Sequence, residues 1–249
     1  MKFDPWFVRQ SGPARRLRLF CFAYAGGSAA SFGAWQAELD PAIEVCAIQL
    51  PGRGSRFGEA PCRSMSELVL RISEKIAAQR DLPFAFFGHS LGALLAFEVA
   101  SYCDRHGLPM PERLFASGCN APQLRNPSKN LHLYADAHLI SALHDYQGTP
   151  PEVLRHTELM TLLLPMLRAD FCLAETYQYH ARTQLAIPIS VLAGKGDEHT
   201  TPEQVAGWQR ETSGRCNVHW FDGDHFFLNS ERQRVLDCVG AELGELQRA

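Results

Sequence analysis

Apolar residues along this chain come as short unbroken runs, separated by longer stretches in which they recur every three or four positions. The runs at 17–24, 43–50, 83–87, 113–119, 188–194 and 216–221 predict six strands. Between them, 65–79 sets Leu68, Ile72 and Ile76 at helical spacing. The stretch 91–107 reads as a helix apolar nearly all round, with Gly107 as its stop signal. The stretch 230–247 reads as a closing helix with Ser230 as its N-cap. Continuous rather than alternating apolar strands are the pattern of a parallel sheet covered on both faces. Alternation of such strands with helices predicts an α/β doubly wound domain. One segment breaks the rhythm. Residues 123–183 lie between the fourth and fifth predicted strands, carry helical patterns and are too many for a loop. They read as a helical lid insertion over one end of the sheet, where open α/β sheets bind ligands.

Composition narrows the setting. A chain of 249 residues with 46% hydrophobic content supports one large core, so 1–249 is read as a single domain. The formal charge of −3 leaves no basic surplus for nucleic acid, and no run of five like charges marks a tail. The short cluster Arg15-Arg16-Leu17-Arg18 reads as a solvated strand entry. The start "MKFDPWFVRQ" has no apolar signal region, and no window approaches 18 apolar residues. The expected setting is cytoplasmic, with no membrane partner and a monomer as default. Eight cysteines without a C-x-x-C pair, several of them inside apolar runs, read as reduced, structural thiols.

The stretch "FFGHSLGALLAFEVA" contains Gly88-His89-Ser90-Leu91-Gly92 between a predicted strand and a predicted helix. That is the context of a nucleophile elbow, in which a serine stands on a sharp turn and the following helix aims its N–H groups at the reacting centre. A serine hydroxyl needs a base within reach, and the base needs a third group to fix its tautomer. In this fold the partners follow in the order serine, acid, histidine, each on a loop past a strand. Of ten histidines, only His225 follows the last predicted strand, in "DGDHFFLNS". His89 is expected to point away from the nucleophile, and His199 and His219 read as ordinary histidines. Asp197, in the loop after the fifth strand, is the best orienting acid, with Glu198 beside it. The loop "SGCNAP", one strand earlier, offers only the neutral Asn120, and Asp222 and Asp224 are too close in sequence to reach the ring of His225. Two backbone donors complete an oxyanion hole. Leu91 supplies one, and Ala25 in the glycine-rich "YAGGSA" the other, with Gly26 as runner-up. His219, Asp222, Asp224 and His225 match no standard metal motif, so neither a metal nor a cofactor is expected.

These residues sit inside longer matches. "FCFAYAGGSAASFGAW", "IQLPGRGSRFGE", "SGCNAP", "LLLPMLRADFCLAETYQY", "LAGKGDEHTTPEQVAGWQRETSG" and "WFDGDHFFLNSE" together resemble the type II, external editing thioesterases of nonribosomal peptide and polyketide synthases, on the α/β-hydrolase fold. The resemblance covers nearly the whole chain. It implies a mostly parallel sheet with helices on both faces, Ser90, His225 and Asp197 as triad, Ala25 and Leu91 as donors, and a lid at 123–183. It implies acyl or aminoacyl substrates on the phosphopantetheine arm of acyl or peptidyl carrier proteins. The family often carries a basic residue in the segment that here reads "SGCNAP", where Cys119 and Asn120 stand.

The triad alone supports acyl transfer in general. A medium-chain acyl thioesterase serving a fatty acid synthase and a generic cytosolic carboxylesterase would share it, and a non-catalytic binding protein could share the fold. Arg53, Arg56 and Arg63 are candidates to meet an acidic carrier.

Overall fold

The computed structural model describes residues 4–246 apart from 11, 13, 14, 127 and 147. Seven strands form one sheet: β1 (Phe7–Arg9), β2 (Leu17–Phe22), β3 (Ile43–Ile48), β4 (Phe84–His89), β5 (Leu114–Ser117), β6 (Ile189–Gly194) and β7 (Cys216–Phe221). Their order is β1-β3-β2-β4-β5-β6-β7. Only β1 runs antiparallel, against β3, and the other pairings are parallel.

Helices flank the sheet: α1 (Trp35–Glu38), α2 (Met65–Ala77), α3 (Leu91–Arg105), α4 (Asp136–Tyr146), α5 (Pro151–Leu154), α6 (Thr157–Glu175), α7 (Pro202–Ala206), α8 (Phe227–Ser230) and α9 (Arg232–Leu246). Successive side chains of a strand point to opposite faces. Phe20, Phe22 and Phe86 pack with Leu68, Ile72 and Leu94 of α2 and α3. Leu19, Cys21 and Phe87 pack on the other face with Trp35, Val235 and Val239 of α1 and α9. Burial on both faces is why β2 to β6 read as unbroken apolar runs.

Chain order reverses at β2, whose neighbours are β3 on one side and β4 on the other. Ligands of open α/β sheets bind at such a switch point, outside the carboxyl ends of the strands. The register pairs Phe22 with Gly88, so the loops after β2 and β4 emerge side by side. Likewise Gly194 pairs with Phe221, and the loops after β6 and β7 are neighbours.

The structure differs from expectation in four places. β1 has three residues, too few for a periodicity to show. β7 is alternately exposed, with Trp220 and Val218 among the exposed apolar side chains, because it is the sheet's edge and only one face is covered. Ser230 ends the short α8 instead of capping α9, and the predicted continuation to Gln247 lies outside the described residues. Arg18 is not solvated. It is 1% exposed, donates to both oxygens of Asp81 at 2.8 and 2.9 Å, and faces Glu44 through Nε.

Residues between β5 and β6 carry α4, α5 and α6, which gather Leu139, Leu143, Leu154, Leu164 and Phe171 into an apolar cluster of their own. Among the described residues, no helix is long and apolar enough to cross a membrane.

Candidate active site

Ser90 joins β4 to α3 at φ 55°, ψ −117°. A non-glycine residue held there costs about 1–3 kcal/mol and persists only where the surroundings enforce it. The Ser90 N–H bonds Ser117 O at 2.8 Å, and the strand on one side and the buried helix on the other leave the turn no slack. The flanking glycines are steric necessities. A Cβ on Gly92 would lie 2.1 Å from Phe22 O, and one on Gly88 2.3 Å from Gly92 O.

His225 and Asp197 meet as the order of strands predicts. His225 Nδ1 and Asp197 Oδ2 are 2.8 Å apart, and Asp197 Oδ1 accepts the His199 N–H at 2.9 Å. Burial by itself would raise the Asp197 carboxyl. The hydrogen bond and charge of His225 and the His199 N–H outweigh it, and the pKa falls below the ordinary value. Glu198 is exposed. Asp222 pairs with Lys195 and Arg234, and Asp224 accepts the N–H of Phe226, so neither serves His225.

Ser90, Leu91, Ala25 and His225 share the wall of one cavity of about 420 Å³. Ala25 is the second residue of the turn Tyr24–Gly27, closed by Gly27 N–H to Tyr24 O at 2.8 Å. The Gly26 N–H is already committed, to Asp170 Oδ2 at 2.8 Å. Of the two donors considered in this loop, that leaves Ala25.

Four features of the site escaped the sequence. His89, absent from the wall of the cavity beside Ser90, is nevertheless not an ordinary histidine. It is fully buried beneath His225, ring centroids 5.1 Å apart, with Nδ1 2.9 Å from Ser117 Oγ. Burial, then the charge of His225, holds its pKa well below the usual imidazole value. His199 lies in the cavity wall, edge-on to His225 at 5.1 Å and stacked at 4.4 Å on Tyr146 of α4. Burial and the neighbouring His225 lower its pKa too. Arg125, absent from every expectation, brings its guanidinium to 3.9 Å from Cys119 Sγ. A cation therefore stands at the end of β5, supplied by the next turn rather than by "SGCNAP" itself.

The fourth feature is the polar content of "LRADFCLAETYQY". Asp170 accepts from Arg53 Nη1 and Nη2, both at 2.7 Å. Glu175 accepts the N–H groups of Leu131 and His132 at 2.9 and 3.1 Å. The Tyr177 hydroxyl donates to Glu98 of α3 at 2.6 Å. The motif fastens α6 to the loops around the site and to the helix that follows Ser90. Two of the three proposed carrier contacts are buried, one of them by this motif. Arg53 is buried on Asp170, and Arg56 is buried on Glu59 and over the Trp6 ring at 4.0 Å. Arg63 remains exposed.

His219, Asp222, Asp224 and His225 go to separate partners, Glu242, Lys195, the Phe226 N–H and Asp197. His219 meets Cys238 and Glu242 between β7 and α9, where Glu242 also pairs with Arg113.

A strained serine at the switch point and a buried histidine–aspartate pair on the later loops define a hydrolase of the α/β-hydrolase fold. The Thioesterase domain family matches residues 17–243, and the chain belongs to that family. It is a thioester hydrolase of the serine-hydrolase type. The gramicidin S biosynthesis protein GrsT of Aneurinibacillus migulanus is 38% identical over 241 residues, covering 96% of this chain and 94% of GrsT. The type II thioesterase BorB from the borrelidin biosynthetic cluster superposes with a TM-score of 0.89 at 33% identity, covering 98% and 99% of the two chains. ClbQ from the colibactin NRPS/PKS pathway gives 0.88 at 31%, covering 93% and 98%.

Proposed function

We propose that this protein is the editing thioesterase of a nonribosomal peptide or polyketide synthase. It hydrolyses acyl or aminoacyl thioesters from the phosphopantetheine arms of carrier proteins. The observation that carries this reading is the likeness to BorB along 98% of the chain, insertion included, at a TM-score of 0.89.

Ser90 Oγ gives its proton to His225 and attacks the thioester carbonyl. Asp197 holds the imidazole Nδ1 side, 2.8 Å away, and stabilises the imidazolium. The oxyanion takes the N–H groups of Leu91 and Ala25. The C–S bond breaks, the pantetheine sulfur receives the proton from His225, and Ser90 is left as an acyl ester. Water, deprotonated by His225, attacks that ester; the tetrahedral adduct collapses to the acid as Ser90 Oγ is reprotonated.

The cavity wall carries polar side chains beside the serine, which suit a polar acyl group better than a bare alkyl chain. Asn120, Gln123, Arg125 and Thr200 line it beside Ser90.

The test offers acyl-carrier protein, acyl-CoA and a p-nitrophenyl ester to the wild type and to Ser90→Ala. Wild type is expected to prefer the carrier thioester. Ser90→Ala is expected to lose about a million-fold in kcat, the cost of deleting a triad nucleophile. A clear preference for the oxygen ester would sink the reading. A native wild type that stays unlabelled by a fluorophosphonate at Ser90 would remove the serine mechanism altogether.

A further inference from the structure

We propose that Asp170 is a positioning residue, which builds the oxyanion hole from the insertion by locking the turn that presents the Ala25 N–H. The proposal rests on the reading of Ser90 and Ala25 above.

The turn at 24–27 has Gly26 at φ +81°, the third-position geometry of a type II turn. The peptide between Ala25 and Gly26 is the one that reverses when a type II turn becomes type I. Its N–H belongs to Gly26, and that N–H bonds Asp170 Oδ2 at 2.8 Å. Reversal would point the Ala25 carbonyl oxygen at the carboxylate, so this bond fixes the type II form; the Ala25 N–H belongs to the preceding peptide and is positioned through the turn as a whole. The same carboxylate is held from behind by both terminal nitrogens of Arg53 at 2.7 Å, and Arg53 Nη1 also donates to Gly27 O at 3.0 Å. One guanidinium and one carboxylate therefore grip the turn at two consecutive residues.

Asp170 is fully buried and belongs to α6, outside the sheet. Leu167, one turn earlier on α6, lies so close that a Cβ on Gly26 would fall 2.7 Å from its Cδ2. The backbone that supplies an oxyanion donor is thus shaped by a residue 144 positions later, on a helix outside the sheet. With α6 detached, nothing else described holds the Gly26 N–H.

A residue that only staples α6 in place would affect stability and substrate binding. A residue that positions an oxyanion donor acts on the tetrahedral state alone. In Asp170→Asn the amide keeps the shape but sets an NH2 group against either the Gly26 N–H or an Arg53 nitrogen. The expected loss in kcat is about ten- to a hundredfold, below the hundred- to thousandfold cost of deleting a donor outright. Affinity for an alkyl boronic acid, whose adduct with Ser90 carries the tetrahedral oxygen, should fall in the same proportion. Affinity for a non-hydrolysable acyl-pantetheine thioether should stay within about threefold. Arg53→Lys, which loosens the carboxylate without removing it, should show the same split at about three- to tenfold and serves where Asp170→Asn does not fold. Folded variants that keep kcat and boronate affinity within twofold overturn the proposal. So do variants that lose boronate and thioether affinity equally, which is the mark of a packing role. A wild type that binds no boronate would instead overturn the reading of Ser90 itself.

Discussion

Two buried arginine–carboxylate pairs stand at opposite ends of the strands. Arg53 and Asp170 meet beyond the carboxyl ends, and Arg113 and Glu242 near the amino ends of β5 and β6. Both carboxylates are nearly or fully inaccessible, and both accept additional hydrogen bonds. What they accept differs. Asp170 takes a backbone N–H from the turn beside Ser90. Glu242 takes side chains only, Ser190 Oγ and His219 Nε2. The first pair fixes a piece of main chain whose direction matters for chemistry. The second closes α9 onto the sheet. A buried ion pair is weak evidence for stability by itself, so its neighbours decide what it is for.

Removing the arginines breaks this comparison most directly. Arg53→Ala leaves Asp170 buried with a single N–H partner. It should cost about 3–5 kcal/mol in denaturant unfolding, together with a fall in kcat measured on the folded fraction. Arg113→Ala leaves Glu242 with Ser190 and a protonated His219, so about 1–3 kcal/mol is expected, with kcat within twofold of wild type. Equal kcat losses from the two variants would erase the distinction.

The smallest effect sharpens it through pH. Cys238 and the Glu242 carboxylate push His219 up to about 10 from 6.5. A raised pKa in the folded protein means that the charged imidazole stabilises it. That contribution is complete below pH 6.5, declines as pH rises, and is gone above about 10. His219 is half-buried, so screening limits it to about 1 kcal/mol or less. His219→Gln should therefore be measurably less stable than wild type at pH 6 and equal to it above pH 10, with activity unchanged at either. A difference that grows with pH would reverse the assigned sign.

The elbow was legible because its requirements are contiguous. Gly88 and Gly92 are forced by contacts within a few ångströms, and the strand and helix on either side announce themselves. Asp197 and His225 were legible by chain order, since parallel strands deliver their loops to one edge. β1 was not, because three residues have no period. β7 was placed at its observed bounds, Cys216–Phe221, but nothing in "CNVHWF" says that it is an edge. His199 looked ordinary because its neighbours, Tyr146 and His225, are 53 and 26 residues away. "LRADFCLAETYQY" stood out with no role attached to its polar residues, for their partners, among them Arg53, His132, Asp136 and Glu98, lie on separate elements distant in the chain.

By itself, then, the sequence determined the class of fold and pointed to a serine, a histidine and an acid on loops that the fold brings to one edge. Those depend on local sterics and on the direction of strands. Tertiary structure alone decided that Gly26 is spent on Asp170 and Ala25 left free, that Arg53 is buried, and that a cation reaches the end of β5 from Arg125. Each is a pairing between residues distant in the chain, selected by burial, where a charge or a polar hydrogen must find a partner and only the packed fold says which one is near.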